Sequence, residues 1–279
     1  MDTKGIKASV GSSFGDDPYA VGVNACQDAI DQLGDKNPDL LIVFSSVKYD
    51  QEKMLNGVRS VAGNALFVGS STSGEIVTQG PLKDHSVAVM AIKSPEIKYF
   101  AGVGENILAN PTLAGKVAAD KVKEQAGEAL KAFMMLPDVL VGNGADIVRG
   151  VLESLGAHFP VVGGASGDDF AFKKTYQYLN DKVYSGSVVG LGLTGNFKIG
   201  IGVKHGWIPV GEPMTVTKSA GAVVHEINGA QAVKIYENYF GVEEAKVLRT
   251  EALAKLAITY PLGMKVVGSD ELLIRDPIT

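Results

Sequence analysis

Two short runs concentrate the residues able to bind or react. Ser70-Ser71-Thr72-Ser73-Gly74-Glu75 follows the apolar run ALFVG, and Gly163-Gly164-Ala165-Ser166-Gly167-Asp168-Asp169 follows PVV. Each joins small hydroxyl or glycine residues to a terminal acid. Such a loop brings backbone N–H groups, hydroxyls and a carboxylate close to a small polar ligand, although one copy alone also reads as a tight Ser/Gly turn. Two copies make a candidate ligand site of Ser71, Thr72, Ser73, Glu75, Ser166, Asp168 and Asp169. Hydroxyls and free amides there suit a carboxylate, and Glu75 or Asp168 suits an amine. Val139 to Asp146 adds a strand running into Gly142-Asn143-Gly144 with a helix opening at Asp146. Amides at that turn can hold a carboxylate or phosphate, or the Asp simply caps the helix. Asn143 joins the candidate residues on that basis.

Other signals are weaker. Gly190-Leu191-Gly192-Leu193-Thr194-Gly195 fits G-x-G-x-x-G, but it lies inside and just after an apolar strand with another strand expected next. A dinucleotide loop needs those glycines between a strand and a helix, so packing against a sheet is the expected role. No G-x-S-x-G, H-E-x-x-H or G-x-x-x-x-G-K-[ST] occurs. His85, beside Asp84, can serve a hydroxyl of Ser71 or Ser73 by residue type alone. Histidines 85, 158, 205 and 225 make no metal-ligand spacing with one another or with Cys26, so no metal site and no catalytic set is expected. Haem needs a single imidazole in an apolar pocket; His85 is the best placed, and no bound haem is expected. Cys26 sits on an apolar helix face as a small buried hydrophobe.

These residues need a scaffold, and the chain has the material for one. Its 279 residues correspond to two domains at ~150 residues each, or one large one. Hydrophobic residues at 46% against 20% charged supply a core and exclude global disorder. The net charge of -5 advertises no nucleic-acid face, and one Cys excludes an intramolecular disulfide. Apolar runs such as VAVMAI are far shorter than the ~18 residues of a membrane span, and MDTKGIKASVG lacks the apolar stretch of a signal peptide. A cytoplasmic protein without a membrane partner is expected.

The spacing predicts a strand over 6–13, and a helix opened by Asp16-Asp17-Pro18 and ended by Gly34. A strand at 40–44, a helix capped by Asp50 and ended by Gly63, and the strand ALFVG follow. SVAVMAI and EIKYFAGVG read as antiparallel strands joined at Ser94-Pro95. A second pass starts at Asn110-Pro111, with a helix to about Leu130, a strand at 138–142, a helix ending at Gly156, and strands PVVGG, GSVVGLGL and FKIGIGV. Pro38-Asp39-Leu40 matches Pro137-Asp138-Val139 at an offset of 99. Gly57, Gly63 and Gly74 match Gly150, Gly156 and Gly167 at an offset of 93. The expected fold is therefore α/β, with internally duplicated β-α-β-β-β units (38–104 and 137–203) carrying mixed sheets and related by a pseudo-twofold. These lie in a domain over 1–205. A smaller α+β domain begins at 206. There TVTKSAGAVVHEING reads as a hairpin and AQAVKIYENYFG as a helix. Glu243 and Glu244 open a further helix, and ELLIRDPIT reads as a strand in mid-course, so this domain is expected to be cut short.

LLIVFSS, GSSTSGEI, SVAVMAI and VVGGASGDDF, in that order, resemble the N-terminal half of the FIST domain. VVHEINGAQAVKIYENYFG and LAITYPLGM…ELLIRDPI resemble the opening of the FIST C-terminal domain. The resemblance implies a sensory module that binds an amino acid or related small polar metabolite. It also implies a signalling partner such as a histidine kinase, a chemoreceptor or a cyclic-dinucleotide enzyme, since no output domain is seen in this chain. Some members of the family are haem proteins that sense nitric oxide. That alternative, and an unrecognised hydrolase, stand beside the non-enzymatic reading.

Overall fold

The computed structural model describes residues 5–82, 85–221, 223–240, 259–266 and 272–275. The chain divides into two compact units, Met1–Gly202 and Val203–Thr279. In the first, β1 (Lys7–Phe14) leads into α1 (Pro18–Leu33). Asp17 accepts the Tyr19 and Ala20 amides at 3.0 and 3.4 Å, Pro18 starts the first turn, and Gly34 closes the helix at φ 68°. These are the cap, the donor-free first residue and the left-handed stop that a helix end favours. β2 (Leu40–Ser46), α2 (Gln51–Ala62) and β3 (Leu66–Thr72) follow, with Asp50 capping α2. A small hairpin, β4 (Ile76–Val77) and β5 (Gly80–Pro81), precedes β6 (Ser86–Lys93).

The same connectivity then recurs. β7 (Ile97–Gly104), α3 (Pro111–Ala126), β8 (Leu130–Pro137), α4 (Gly144–Leu155) and β9 (Val161–Gly163) are followed by a hairpin of β10 (Gln177–Leu179) and β11 (Lys182–Tyr184), then by β12 (Val188–Gly195). The helices keep the offset read from the glycines, since 111 − 18 and 144 − 51 both equal 93. One mixed sheet has the order β1-β6-β2-β3-β10-β11 and the other β7-β12-β8-β9. In each, the opening strand runs antiparallel to the closing strand, which runs antiparallel to the second, and the second is parallel to the third.

Side chains on the two faces of each sheet go to different cores. Leu41, Val43, Phe67 and Val89 pack under α1 and α2, while Phe133, Met135 and Val188 pack under α3 and α4. Leu40 and Val68 of one sheet meet Val103, Val189 and Leu191 of the other. The layers therefore run helices, sheet, sheet, helices. β2 is covered on both faces, which is why LLIVF is a continuous apolar run.

Several elements differ from the sequence reading, and each difference comes from pairing between distant segments. The repeating run begins at β1 and β7 rather than at 38 and 137. The third helix stops at Ala126, before Gly127 at φ 63°, and Leu130–Pro137 is strand β8 although Leu, Lys, Ala and Met favour helix. Residues 138–142 form the loop after that strand. Pro38-Asp39 thus precedes its strand while Pro137-Asp138 ends and follows one, so the 99-residue match is not structural. β6 and β7 lie in different sheets, and Ser94-Pro95 carries the chain from one to the other. FKIGIGV takes no strand partner among the described residues and forms no strand, since alternation needs a ladder to become one.

The second unit has β13 (Val216–Ala220), β14 (Val223–Ile227) and β15 (Ala230–Gln231) in one sheet, then α5 (Lys234–Phe240), and a pair formed by β16 (Leu262–Lys265) and β17 (Leu272–Arg275). The expected hairpin, helix and last strand are present. The helix expected from Glu243 and Glu244 lies outside the described residues. No described helix is long and apolar enough to cross a membrane.

Both helix pairs cross on glycine. A Cβ on Gly22 would stand 2.2 Å from Met54 O, and one on Gly57 2.2 Å from Tyr19 O; Gly115 and Gly150 meet Ile147 O and Thr112 O at 2.2 and 1.9 Å. We expect Gly57→Ala to cost about 1–3 kcal/mol in urea unfolding, although Ala is the better helix former. Gly164→Ala, with nothing within 4 Å of the new carbon, should stay within about 0.5 kcal/mol of the parent.

Candidate functional site

The parallel strands β2 and β3 end on the same sheet edge, and β6, being antiparallel to β2, starts there. β2 ends in Ser45-Ser46 and β3 in Ser70-Ser71-Thr72. Carboxyl ends of parallel strands are where α/β proteins gather ligand-binding loops. Here the edge is completed from the other half of the unit. β10 pairs antiparallel with β3, Gln177 opposite Ser70, so the segment before β10 passes over this edge.

The two Ser/Gly loops meet. Gly167 N donates to Ser71 O at 2.9 Å and Asp169 N to Thr72 O at 3.1 Å. Ser71 Oγ donates to Gly167 O at 2.6 Å and accepts the Tyr176 amide at 2.9 Å. Ser71 is completely buried, so its hydroxyl staples the loops. Glu75, also buried, accepts Thr72 Oγ1 at 2.5 Å on one oxygen and Ser86 Oγ on the other. Asp168 accepts three amides, Phe172 at 3.0 Å, Lys173 at 2.6 Å and Lys174 at 3.1 Å. Ser166 accepts Gln177 Nε2 at 3.0 Å. Asn143 caps α4 by accepting the Ala145 amide at 3.0 Å; the helix opens at Gly144, and Asp146 lies in its first turn paired with Arg149. No described bond joins Asn143 to the other candidates.

The residues that keep access to solvent are fewer. Ser73 is exposed, and Thr72 and Asp169 are half-buried. Asp169 Oδ2 accepts Ser46 Oγ at 2.6 Å, and Ser46 Oγ accepts the Lys48 amide at 3.2 Å. The exposed Lys48 ammonium lies 2.7 Å from His85 Nε2, and the Tyr49 hydroxyl donates to His85 O. His85 Nδ1 is buried and has no hydrogen-bond partner among the described residues. His85 and the residues 169, 170 and 172 all hold positive φ, between 53° and 61°, a conformation rare outside glycine.

His85 makes no described bond to Ser71 or Ser73, and its pairing with Asp84 lies outside the described residues. The histidines that could serve as an axial haem ligand are placed as follows. His85 has one nitrogen against Lys48 and the other buried; His205 uses Nε2 on Leu272 O and Nδ1 on the Trp207 amide; His158 and His225 are exposed. The G-x-G-x-x-G run lies in β12, where Gly190 packs on the Phe133 ring.

Sequence reasoning missed Ser45, Ser46, Lys48, Gln51 and Tyr178. Beneath the edge the Tyr178 hydroxyl donates to Gln51 Oε1 and lies 2.9 Å from Ser45 Oγ, while Gln51 Nε2 donates to Ser46 O and Tyr49 O at 3.1 and 2.6 Å. One signal was readable: Ser45-Ser46 closes its apolar run just as Ser70-Ser71 closes the next. Tyr178 and Gln51 are distant in sequence and gave none.

The unit is an α/β fold with a polar cluster at the carboxyl edge of its parallel strands. The model of the FIST N domain matches residues 39–230, well over half of the chain, and the chain belongs to the FIST family of small-ligand sensory domains in signal transduction. An uncharacterized protein of Methanocaldococcus jannaschii is 25% identical over 206 residues, 70% of this chain; the chain spans 40% of that protein's length. The crystal structure of a cyanuric acid hydrolase from A. caulinodans is similar at a TM-score of 0.36 and 9% identity, covering 71% of this chain and 73% of that one, too remote to carry an argument.

Burial pushes the Tyr178 phenol well above its ordinary pKa; the Ser45 bond opposes this and Glu75 adds to it. Below pH ~10 the phenol is protonated in both states and its bonds count in full. Above that the unfolded chain releases the proton while the folded one keeps it, so stability falls by up to ~1.4 kcal/mol per pH unit for this group. Urea unfolding between pH 9 and 11 (a range set by the ~10 of an ordinary phenol) should show a shallower fall in Tyr178→Phe than in the parent.

Proposed function

We propose that this protein is a non-enzymatic sensor that binds a small zwitterionic metabolite of the amino-acid type at the carboxyl edge of β2 and β3 and signals to a separate output protein. A histidine kinase, a chemoreceptor or a cyclic-dinucleotide enzyme is the class of output partner that the family resemblance supplies. The observation that carries the reading is one serine that ties the second loop to the end of β2: Ser46 Oγ donates to Asp169 Oδ2 at 2.6 Å and accepts the backbone amide of Lys48 at 3.2 Å, so a half-buried carboxylate and a residue with an exposed ammonium are fixed at the same edge. A ligand carboxylate suits the Lys48 ammonium and the Ser73 hydroxyl, and a ligand amine suits Asp169. Ser71, Ser166, Glu75 and Asp168 shape the edge through bonds within the protein, and Asn143 caps a helix of the other sheet. Binding without chemistry agrees with the state of the hydroxyls. Ser45, Ser71 and Ser86 are buried and bonded to phenol, carbonyl and carboxylate partners, which leaves none of them poised as a nucleophile.

Thermal shift across amino acids and organic acids identifies the ligand, since a compound at 100 times its Kd adds ~2.7 kcal/mol of stability. Calorimetry should then show Lys48→Ala and Asp169→Asn each weakening binding about tenfold to a hundredfold, the loss of one charge-assisted hydrogen bond. Parent-like affinity in both variants would move the site elsewhere. A Soret band gained on incubation with haem would overturn the assignment of a haem-free sensor.

A further inference from the structure

The opposite edge of the same strands carries a cleft that the sensor reading does not use. Its volume is about 570 Å3, within the usual range of small-molecule sites. Asn37, Asp39, Asn64, Lys93, Lys98 and Tyr99, with Ser94, supply its polar side chains. Since β2 is seven residues long, this cleft stands ~20 Å from the Ser46–Lys48 cluster.

We propose that this cleft is a second binding site, for a small multivalent oxyanion such as a phosphate ester or a polycarboxylate.

The argument is a count of which hydrogen-bonding groups are free. The strong acceptors are taken. Asp39 accepts Lys93 Nζ at 2.9 Å on one oxygen and the Ser94 amide at 2.8 Å on the other. The carbonyls of Gly63 and Ala65, at the end of α2, accept Arg59 Nη1 at 2.9 and 3.0 Å. That guanidinium offsets the negative end of the helix, which would otherwise repel an anion. Ser94 Oγ already accepts the Glu96 and Ile97 amides at 3.3 and 3.2 Å, leaving its proton to donate.

The donors, by contrast, are open. Lys98 is exposed, and its ammonium has no bonding partner among the described residues. The carboxamides of Asn37 and Asn64 and the hydroxyl of Tyr99 are likewise unbonded there, so the acceptors left open are neutral carboxamide oxygens, while Lys93 spends two of its three protons on Asp39 and Asn37 O. Burial, with Asp39 nearby, pushes the Tyr99 phenol up to about 12, so it stays a proton donor at neutral pH. Among the lining side chains Lys93 and Lys98 stand against Asp39, an excess of one positive charge, with Asp35 acting on Lys93 from outside the lining. A ligand rich in acceptor oxygens and carrying more than one negative charge completes this set; a cation or an apolar molecule leaves the donors unpaired.

The test is calorimetry of the full chain with sodium pyrophosphate and, separately, citrate, at one fixed ionic strength so that general screening cancels. Saturable binding of at least one probe is expected, weakened at least tenfold in Lys98→Ala, restored in Lys98→Arg, and unchanged in Lys48→Ala. A response to pyrophosphate alone assigns the phosphate class, and to citrate alone the polycarboxylate class. No saturable heat with either probe overturns the proposal. So does parent-like binding in Lys98→Ala, or a loss in Lys48→Ala instead, which would assign the anion to the carboxyl edge. None of these outcomes depends on the amino-acid reading, whose own variants lie at the other end of β2.

Discussion

The candidate site depends on a three-residue ladder. β10 lies antiparallel on β3, with Gln177, Tyr178 and Leu179 opposite Ser70, Gly69 and Val68. This pairing adds a strand from the second half of the unit to the sheet of the first. It also determines where Tyr178 goes. A side chain at residue 69 would place its Cβ 1.9 Å from Val43 O and 2.9 Å from the Tyr178 ring, so glycine is what lets the tyrosine lie against the sheet. From there its hydroxyl reaches Ser45 and Gln51, and the preceding residues bring the Tyr176 backbone onto both the amide and the hydroxyl of Ser71.

Once the ladder forms, the polar groups beneath the edge satisfy one another. Ser71 holds Gly167, Glu75 holds Thr72 and Ser86, and Asp168 gathers the amides of the turn behind it. Such a network is strong when every member is bonded and costly when one is not. Most hydroxyls and acids of the two loops therefore hold the edge in shape. The groups left facing outward, Lys48, Ser73 and Asp169, are few, and their position is inherited from the buried ones.

The two ends of β2 consequently differ in chemistry. The carboxyl end mixes a cation, a carboxylate and hydroxyls, with Ser46 bonded to the Asp169 carboxylate and to the Lys48 backbone. The amino end has its charged acceptor tied to Lys93 and a backbone amide and its helix-end carbonyls tied to Arg59, while the Lys98 ammonium and the Tyr99 hydroxyl have no bonding partner among the described residues. Both follow from the same parallel strand, whose ends are the places where backbone leaves the ladder and side chains can gather.

What local chemistry decides is legible in the residues themselves. The caps Asp17, Asp50 and Asn110, the stops at Gly34, Gly63 and Gly156, and the 93-residue spacing of the helices all act within a few residues of where they stand. The hydroxyl-rich end of β3 and the glycine-rich end of β9 are legible for the same reason. Tertiary structure alone decided which segments pair. It made Leu130–Pro137 a strand against its helix propensity, left FKIGIGV without one, sent β6 and β7 to different sheets, and joined Gln51 to Tyr178 across 127 residues. A strand exists through its partner, and the partner's identity is a property of the packed chain. The sequence alone could therefore nominate Ser71 and Asp168, but only the fold could show that their bonds are turned inward.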